Sequence, residues 1–216
     1  MPSIEMMVTI ALCAALNLAL GGIVYLLKLP IYLDMVGTIL AALLFSDRPR
    51  KAFSASAAAG VVSFVLGGLV NPFLPWFSGT VVTVAALTAF ATCRSAPVLR
   101  SVTTRDAGFA LRVLGYGILT GIVAAIVSAP VVVYLFGGVT GSGSALLVAF
   151  FVKAGHQLMQ AALMSGFTAE PVDKTLQLLL AVILFRATPD SFLRLIRGVS
   201  SAKLLSRVHE ARNDHS

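Results

Sequence analysis

The sequence has few charged residues, few cysteines and a single tryptophan. Of its 216 residues, 12% are charged and 58% are hydrophobic, whereas a soluble domain is about a quarter charged. This composition excludes a soluble globular domain, and so many apolar residues also exclude a disordered chain. Cys13 and Cys93 are too few for a disulfide scaffold and lack CxxC spacing, so they predict no metal or redox site. A polytopic all-α membrane protein remains.

The sign of the charge needs a separate explanation. The formal net charge of +7 is typical of proteins that bind nucleic acid, but the positive residues lie in the gaps between apolar runs. That placement is typical of the flanks of membrane helices. We therefore expect the lipid bilayer, and not nucleic acid, to be the partner of these charges.

Seven apolar runs divide the chain. Three of them are shorter than the roughly 20 residues of a full crossing. Short helices are stable in a membrane when protein covers their ends, which predicts a cavity open at one face. The runs are 6–27, 33–46, 52–70, 79–93, 113–136, 145–165 and 172–187.

The arginines predict the topology. Residues 46–51, residues 94–106 and the segment after residue 186 are basic, so the positive-inside rule assigns them to the cytoplasm. This assignment predicts six crossings with both termini cytoplasmic, and 145–165 becomes an outer-leaflet helix or a folded-back segment. We expect a membrane bundle over residues 1–189 and a cytoplasmic basic tail over residues 190–216.

Four polar residues recur at helical spacing in the sixth run. Lys153, His156, Gln157 and Gln160 lie at i, i+3, i+4 and i+7, which predicts one face of a helix. Such a face is costly in lipid, so it must contact protein or water. It is either a ligand-binding stripe or a structural hydrogen-bond seam between helices.

A charged motif lies at the start of the last apolar run. Glu170-Pro171 predicts the start of the last helix, because proline is common at the first helical position. The helix dipole would favour Asp173 there and disfavour Lys174. Lys174 therefore needs either an internal salt bridge to Asp173 or Glu170, or an anionic or carbonyl-bearing ligand.

The segment before the second helix carries a third polar group. Asp34 either caps that helix or contacts a ligand. Tyr32 and Trp76 are typical of the aromatic belts at membrane interfaces.

The first run contains small residues at a spacing of four. Ala11, Ala15 and Ala19 form the pattern that allows close helix packing, either with a partner or within the chain. No arrangement of nucleophile and base, no phosphate-binding loop and no metal-ligand cluster is apparent. We therefore expect no enzymatic activity and no cofactor.

These segments resemble the substrate-binding S component of an energy-coupling factor (ECF) vitamin transporter, with the riboflavin-type group as the nearest. The resemblance covers most of residues 6–187. It rests mainly on the charged motif at the start of the last run. The segments that carry it are the alanine stripe Ala11/Ala15/Ala19, the entry Pro30–Thr38, Asn71-Pro72 and the motif Glu170–Lys174.

The resemblance implies six helices around a vitamin pocket in a bacterial or archaeal cell membrane. It also implies docking, through the alanine stripe, onto a membrane coupling protein driven by two cytoplasmic ATPases. By position, Asp34, Asp173 and Lys174 would contact the substrate. The alternatives are a membrane sensor or a solitary transporter without an ATPase module.

Overall fold

The computed structural model describes residues 3–101 and 107–197, and this part of the chain is all-α. Its eight α-helices are supplemented by a 3-10 turn at Leu74–Phe77 and a π-helical turn at Val131–Leu135. The helices are α1 Ile4–Leu26, α2 Val36–Leu44, α3 Pro49–Gly67, α4 Ser78–Ser101, α5 Ala107–Pro130, α6 Ser144–Lys153, α7 Leu158–Ala187 and α8 Asp190–Arg197.

The short helix α2 lies at the centre of the bundle. All of its nine residues except Leu40 are buried, and it contacts α1, α3, α4 and α7. Gly37 allows the close approach to α1, because a Cβ atom at this position would clash with the backbone carbonyl of Cys13. Surrounding helices thus cover this short apolar segment, as the sequence predicts for a short helix in a membrane bundle.

Helices α5 and α7 form the most extensive pair in the bundle. They run antiparallel, because Gly117 faces Thr175 while Gly121 faces Pro171 and Gly166 faces Ala125. Glycine at each of these contacts brings the two backbones close together, as is typical of helices that pack in membranes.

The sixth apolar run does not form one helix. Helix α6 ends at Lys153, the chain turns at Gly155 with a φ of +95°, and α7 begins at Leu158. The chain then folds back, because the Ser165 hydroxyl donates a hydrogen bond to the Ser144 carbonyl at 3.2 Å. Of the two alternatives for 145–165, the structure has the folded-back segment.

The predicted start of the last helix at Glu170-Pro171 is wrong. Pro171 lies inside the 30-residue helix α7, which at about 1.5 Å per residue is roughly 45 Å long. The hydroxyl of Thr175 donates to the Pro171 carbonyl at 2.7 Å. Asp173 and Lys174 therefore lie in the middle of a helix, and the argument from a helix N-terminus does not apply to them.

Several helices are long and apolar enough to cross a membrane. Within residues 3–101 and 107–197 there are three: Ile4–Leu26, Leu74–Ser95 and Gly108–Leu135. Helices α7 and α8, bent by 100°, add a fourth if they count as one crossing. The chain is thus an all-helical protein whose apolar helices indicate a multi-pass membrane protein, whereas the six crossings stay a prediction.

The bundle has two chemically different ends. At one end, α1 contacts α8, and Arg186 of α7 lies over the ring of Phe109 in α5 at 4.4 Å. The basic segment that precedes α3 and Arg94 near the end of α4 belong to this end as well. We call it the arginine end. Residues 198–216, most of the predicted basic tail, and Arg105 lie outside the described residues.

Candidate ligand-binding site

A cavity of about 530 Å³ lies at the end of the bundle opposite the arginine end. Its walls come from α1, α3, α4, α5 and α7, and from the connections between α1 and α2 and between α3 and α4. Most of the lining side chains are apolar, among them Leu18, Phe64 and Val81. A few polar groups also line this space, among them Asn17, Asp34 and Lys174.

Two inter-helix segments meet at the mouth of the cavity. The ammonium of Lys28 donates to the carbonyl oxygen of Gly141 at 2.9 Å and lies 4.1 Å from the centre of the Tyr25 ring. Lys28 and Leu33 both have positive φ, 53° and 50°, so the connection between α1 and α2 is tightly bent. The Gly141 turn and this connection thereby hold each other in place.

A buried carboxylate of α7 binds the backbone of the same connection. Asp173 is fully buried, and its Oδ1 accepts hydrogen bonds from the backbone N–H groups of Tyr32 and Leu33, both at 2.9 Å. These N–H groups belong to no helix and would otherwise lack partners inside the bundle. Helix α7 is therefore linked to the wall of the cavity through one side chain.

The other oxygen of this carboxylate completes a charged cluster. Asp173 Oδ2 accepts from the ammonium of Lys174 and from the amide nitrogen of Gln177, both at 2.7 Å. The Lys174 ammonium also lies 3.0 Å from Glu170 Oε2. Lys174 is only 4% exposed, so the internal salt bridge that the sequence left open is formed. Glu170 and Lys174 line the cavity.

Asn17 forms a second polar network at the cavity wall. Its amide nitrogen donates to the hydroxyls of Thr38 at 2.9 Å and Ser63 at 3.2 Å, and its oxygen accepts from the Gly37 backbone N–H at 2.7 Å. This one side chain therefore joins α1, α2 and α3. Asn17 is not among the site residues predicted from the sequence, although an amide in the middle of a 23-residue apolar helix indicates a buried polar contact.

Asp34 lies in the cavity wall and does not cap α2. The N-cap residue of α2 is Met35, and no side chain caps this helix. Asp34 is half-buried and lines the cavity, as does Tyr32, so Tyr32 contributes to the cavity wall and its interface position stays a prediction. Trp76 is 60% exposed, which is compatible with an interface position.

The polar stripe predicted for the sixth run is not one face of a helix. Lys153 ends α6, His156 lies in the turn, and Gln157 with Gln160 forms a capping box at the start of α7. All four side chains are exposed, and none lines the cavity. The prediction failed because Gly155 reverses the chain, which breaks the helical period. These four residues and the Asp173–Lys174 pair do not meet in one pocket.

The alanine stripe of α1 lies on the surface of the bundle. Ala11, Ala15 and Ala19 are all exposed, so they do not pack against another helix of the described chain. Packing of this stripe within residues 3–101 and 107–197 is therefore not what the structure has, and docking onto a partner stays a prediction. Neighbouring exposed side chains of α1 are apolar, for example Val8 and Leu12.

Comparison of the chain with family models, characterised proteins and solved structures found no match. Within residues 3–101 and 107–197, no group of three His, Cys, Asp or Glu side chains is arranged to hold a metal ion. The geometry of the cavity is therefore the basis for any function of this site.

Proposed function

We propose that the chain is a membrane-embedded substrate-binding subunit for uptake of a small water-soluble vitamin or vitamin precursor. In this proposal it works with an ATP-driven ECF module, which consists of a membrane coupling protein and two ATPases. A riboflavin-like compound is the first candidate substrate. The observation that carries the proposal is the cavity at the end of the bundle opposite the arginine end.

The size and lining of the cavity support a small organic ligand. Its volume of about 530 Å³ lies inside the range of roughly 300–1,000 Å³ that is usual for ligand pockets. Its walls are mostly apolar, and Asn17, Asp34 and Lys174 supply polar groups at separate positions. This combination suits a compound whose rings contact apolar walls while a few polar atoms fix its orientation.

The exposed alanine stripe supports docking onto a membrane partner. Small side chains allow a second helix to approach the backbone of α1 closely, and in lipid such close packing is a main source of helix association. The stripe lies along α1 from Ala11 to Ala19, whereas the α1 residues that line the cavity begin at Asn17. A partner on the stripe would therefore contact mostly a different part of α1.

The cavity is tested with the ligand that copurifies with the protein. Mass spectrometry of small molecules extracted from the detergent-solubilised protein identifies the compound, and calorimetry measures its affinity. A Cβ atom at Gly22, which lines the cavity, or at Gly115, on the surface of α5, meets no other atom within 4 Å. Gly22→Leu should therefore fill part of the cavity and weaken binding, whereas Gly115→Leu should not. Equal affinities in the two variants would exclude this cavity as the binding site.

The partner is tested by separating binding from uptake. Ala15→Trp places a bulky ring on the stripe, so uptake by cells should be lost while the isolated protein still binds its ligand. Leu119→Trp places the same indole ring on the exposed surface of α5 and serves as the control. Uptake that persists in Ala15→Trp and needs no ATPase would favour the solitary transporter.

A further inference from the structure

We infer that the cavity takes a small organic cation. This inference rests on the proposed function, because it names the chemical class of the ligand that the same cavity would bind. It depends on which charged and polar groups face the cavity and on which of them already have partners within the protein.

The charges around the cavity do not balance. Asp34, Glu170 and Lys174 line it, and Asp173 lies directly behind them against Lys174. Lys174 is the only cationic side chain among the described residues that line the cavity. Three carboxylates thus share one ammonium, which is already bound to Asp173 at 2.7 Å and to Glu170 at 3.0 Å.

Asp34 is the carboxylate with which this ammonium forms no direct ion pair. None of the ion pairs within the described part of the chain includes Asp34, and its side chain lies in the cavity wall without capping α2. Asp34 is half-buried, and a carboxylate that is partly removed from water without a partner is costly. A positively charged group of the ligand would offset that cost.

An independent group in the wall formed by α4 also lacks a partner among the described residues. Thr80 of α4 lines the cavity, is only 8% exposed, and its hydroxyl oxygen forms no hydrogen bond with any described residue. A buried hydroxyl usually has a partner. A ligand with N–H groups would supply a donor to Thr80 and a charge to Asp34, whereas a ligand anion would add a negative charge to a site that already has an excess of them.

The inference is tested with vitamins that differ in charge. Pyridoxamine and pyridoxine differ only by an ammonium in place of a hydroxyl, and thiamine and riboflavin add a larger cation and a larger neutral compound. Calorimetry on the purified full chain measures the affinity for each compound. The better-bound of the two cations should bind at least about tenfold more tightly than either neutral compound, because a hydrogen bond to a charged group contributes at least about a tenfold gain in affinity.

Two variants then assign the selectivity to the cavity. Asp34→Asn breaks no ion pair of the described chain, so the protein should fold while the preference for the cation falls about tenfold to a hundredfold. Thr80→Val removes a hydroxyl that has no partner among the described residues, so affinity should fall without loss of stability. Asp47→Asn, at the arginine end, is the matched control and should change neither quantity.

The two proposals fail differently. Equal or tighter binding of riboflavin or pyridoxine, unchanged in Asp34→Asn, would overturn the cation while the proposed function stands. If none of the four compounds binds and the ligand that copurifies with the protein carries no positive charge, the cation is overturned while the proposed function stands. Cation binding that Asp34→Asn and Thr80→Val leave unchanged would also overturn the inference, because the selectivity would then come from another place.

Discussion

Replacing Asp173 by asparagine should destabilise the protein strongly, although the two side chains have nearly the same shape. The carboxylate accepts four hydrogen bonds, two on each oxygen. An asparagine has only one oxygen to offer. If that oxygen stays on the backbone N–H groups of Tyr32 and Leu33, the new NH2 group faces the ammonium of Lys174 and the amide nitrogen of Gln177, which are both donors.

The magnitude follows from these contacts. Two hydrogen bonds to a charged acceptor contribute about 1.5–3 kcal/mol each, and removal of one partner from a buried ion pair costs about 3–5 kcal/mol. Two features of the structure reduce the loss. Lys174 keeps its contact with Glu170, and the Gln177 oxygen, which has no hydrogen-bond partner among the described residues, can accept from the new NH2 group if the amide flips. We therefore expect a loss of about 3 kcal/mol.

The assay is reversible unfolding in detergent micelles by titration with sodium dodecyl sulfate, followed by circular dichroism. A loss of about 3 kcal/mol is a large share of the roughly 5–15 kcal/mol that is usual for a folded protein. Asp47→Asn is the control, because the Asp47 side chain is partly exposed and ion pairs at exposed positions contribute less than about 1 kcal/mol. If the two variants have the same stability, the Asp173 cluster does not hold the bundle together.

Three further predictions concern the helix contacts and the topology. Gly37→Ala should prevent folding or lower the free energy of unfolding by several kcal/mol, because the new Cβ atom would clash with the backbone of α1. Gly115→Ala adds a Cβ atom in open space on a helix surface and should stabilise the protein by about 0.5–1 kcal/mol. Thermal unfolding of both variants checks that the two effects have opposite signs. Asn17→Ala should lower the free energy of unfolding by about 2–3 kcal/mol, since it leaves buried polar groups of α2 and α3 without a partner; an unchanged value would show that this network is not stabilising. Finally, cysteines introduced at Ser142 and Arg50 in a cysteine-free background should be labelled from outside and inside the cell respectively, and the reverse pattern would invert the predicted topology.

The amino-acid sequence alone determined the class of protein and the choice of several site residues. Hydropathy depends only on local composition, so the apolar helices follow from it directly. Charged residues in an apolar background are costly wherever the chain places them. For this reason Asp34, Asp173 and Lys174 stand out in the sequence, and Asp34 and Lys174 do line the cavity.

Only the tertiary structure decided how these groups are paired and where the helices begin and end. Pro171 is typical of a helix start, yet α7 continues through it while Gly121 of α5 packs against it. The prediction of a polar stripe in the sixth run assumed one uninterrupted helix. The turn at Gly155 interrupts that helix, so the four residues do not share a face. Asp173 binds backbone groups about 140 residues away, and no local pattern specifies a contact between segments that meet only when the helices pack.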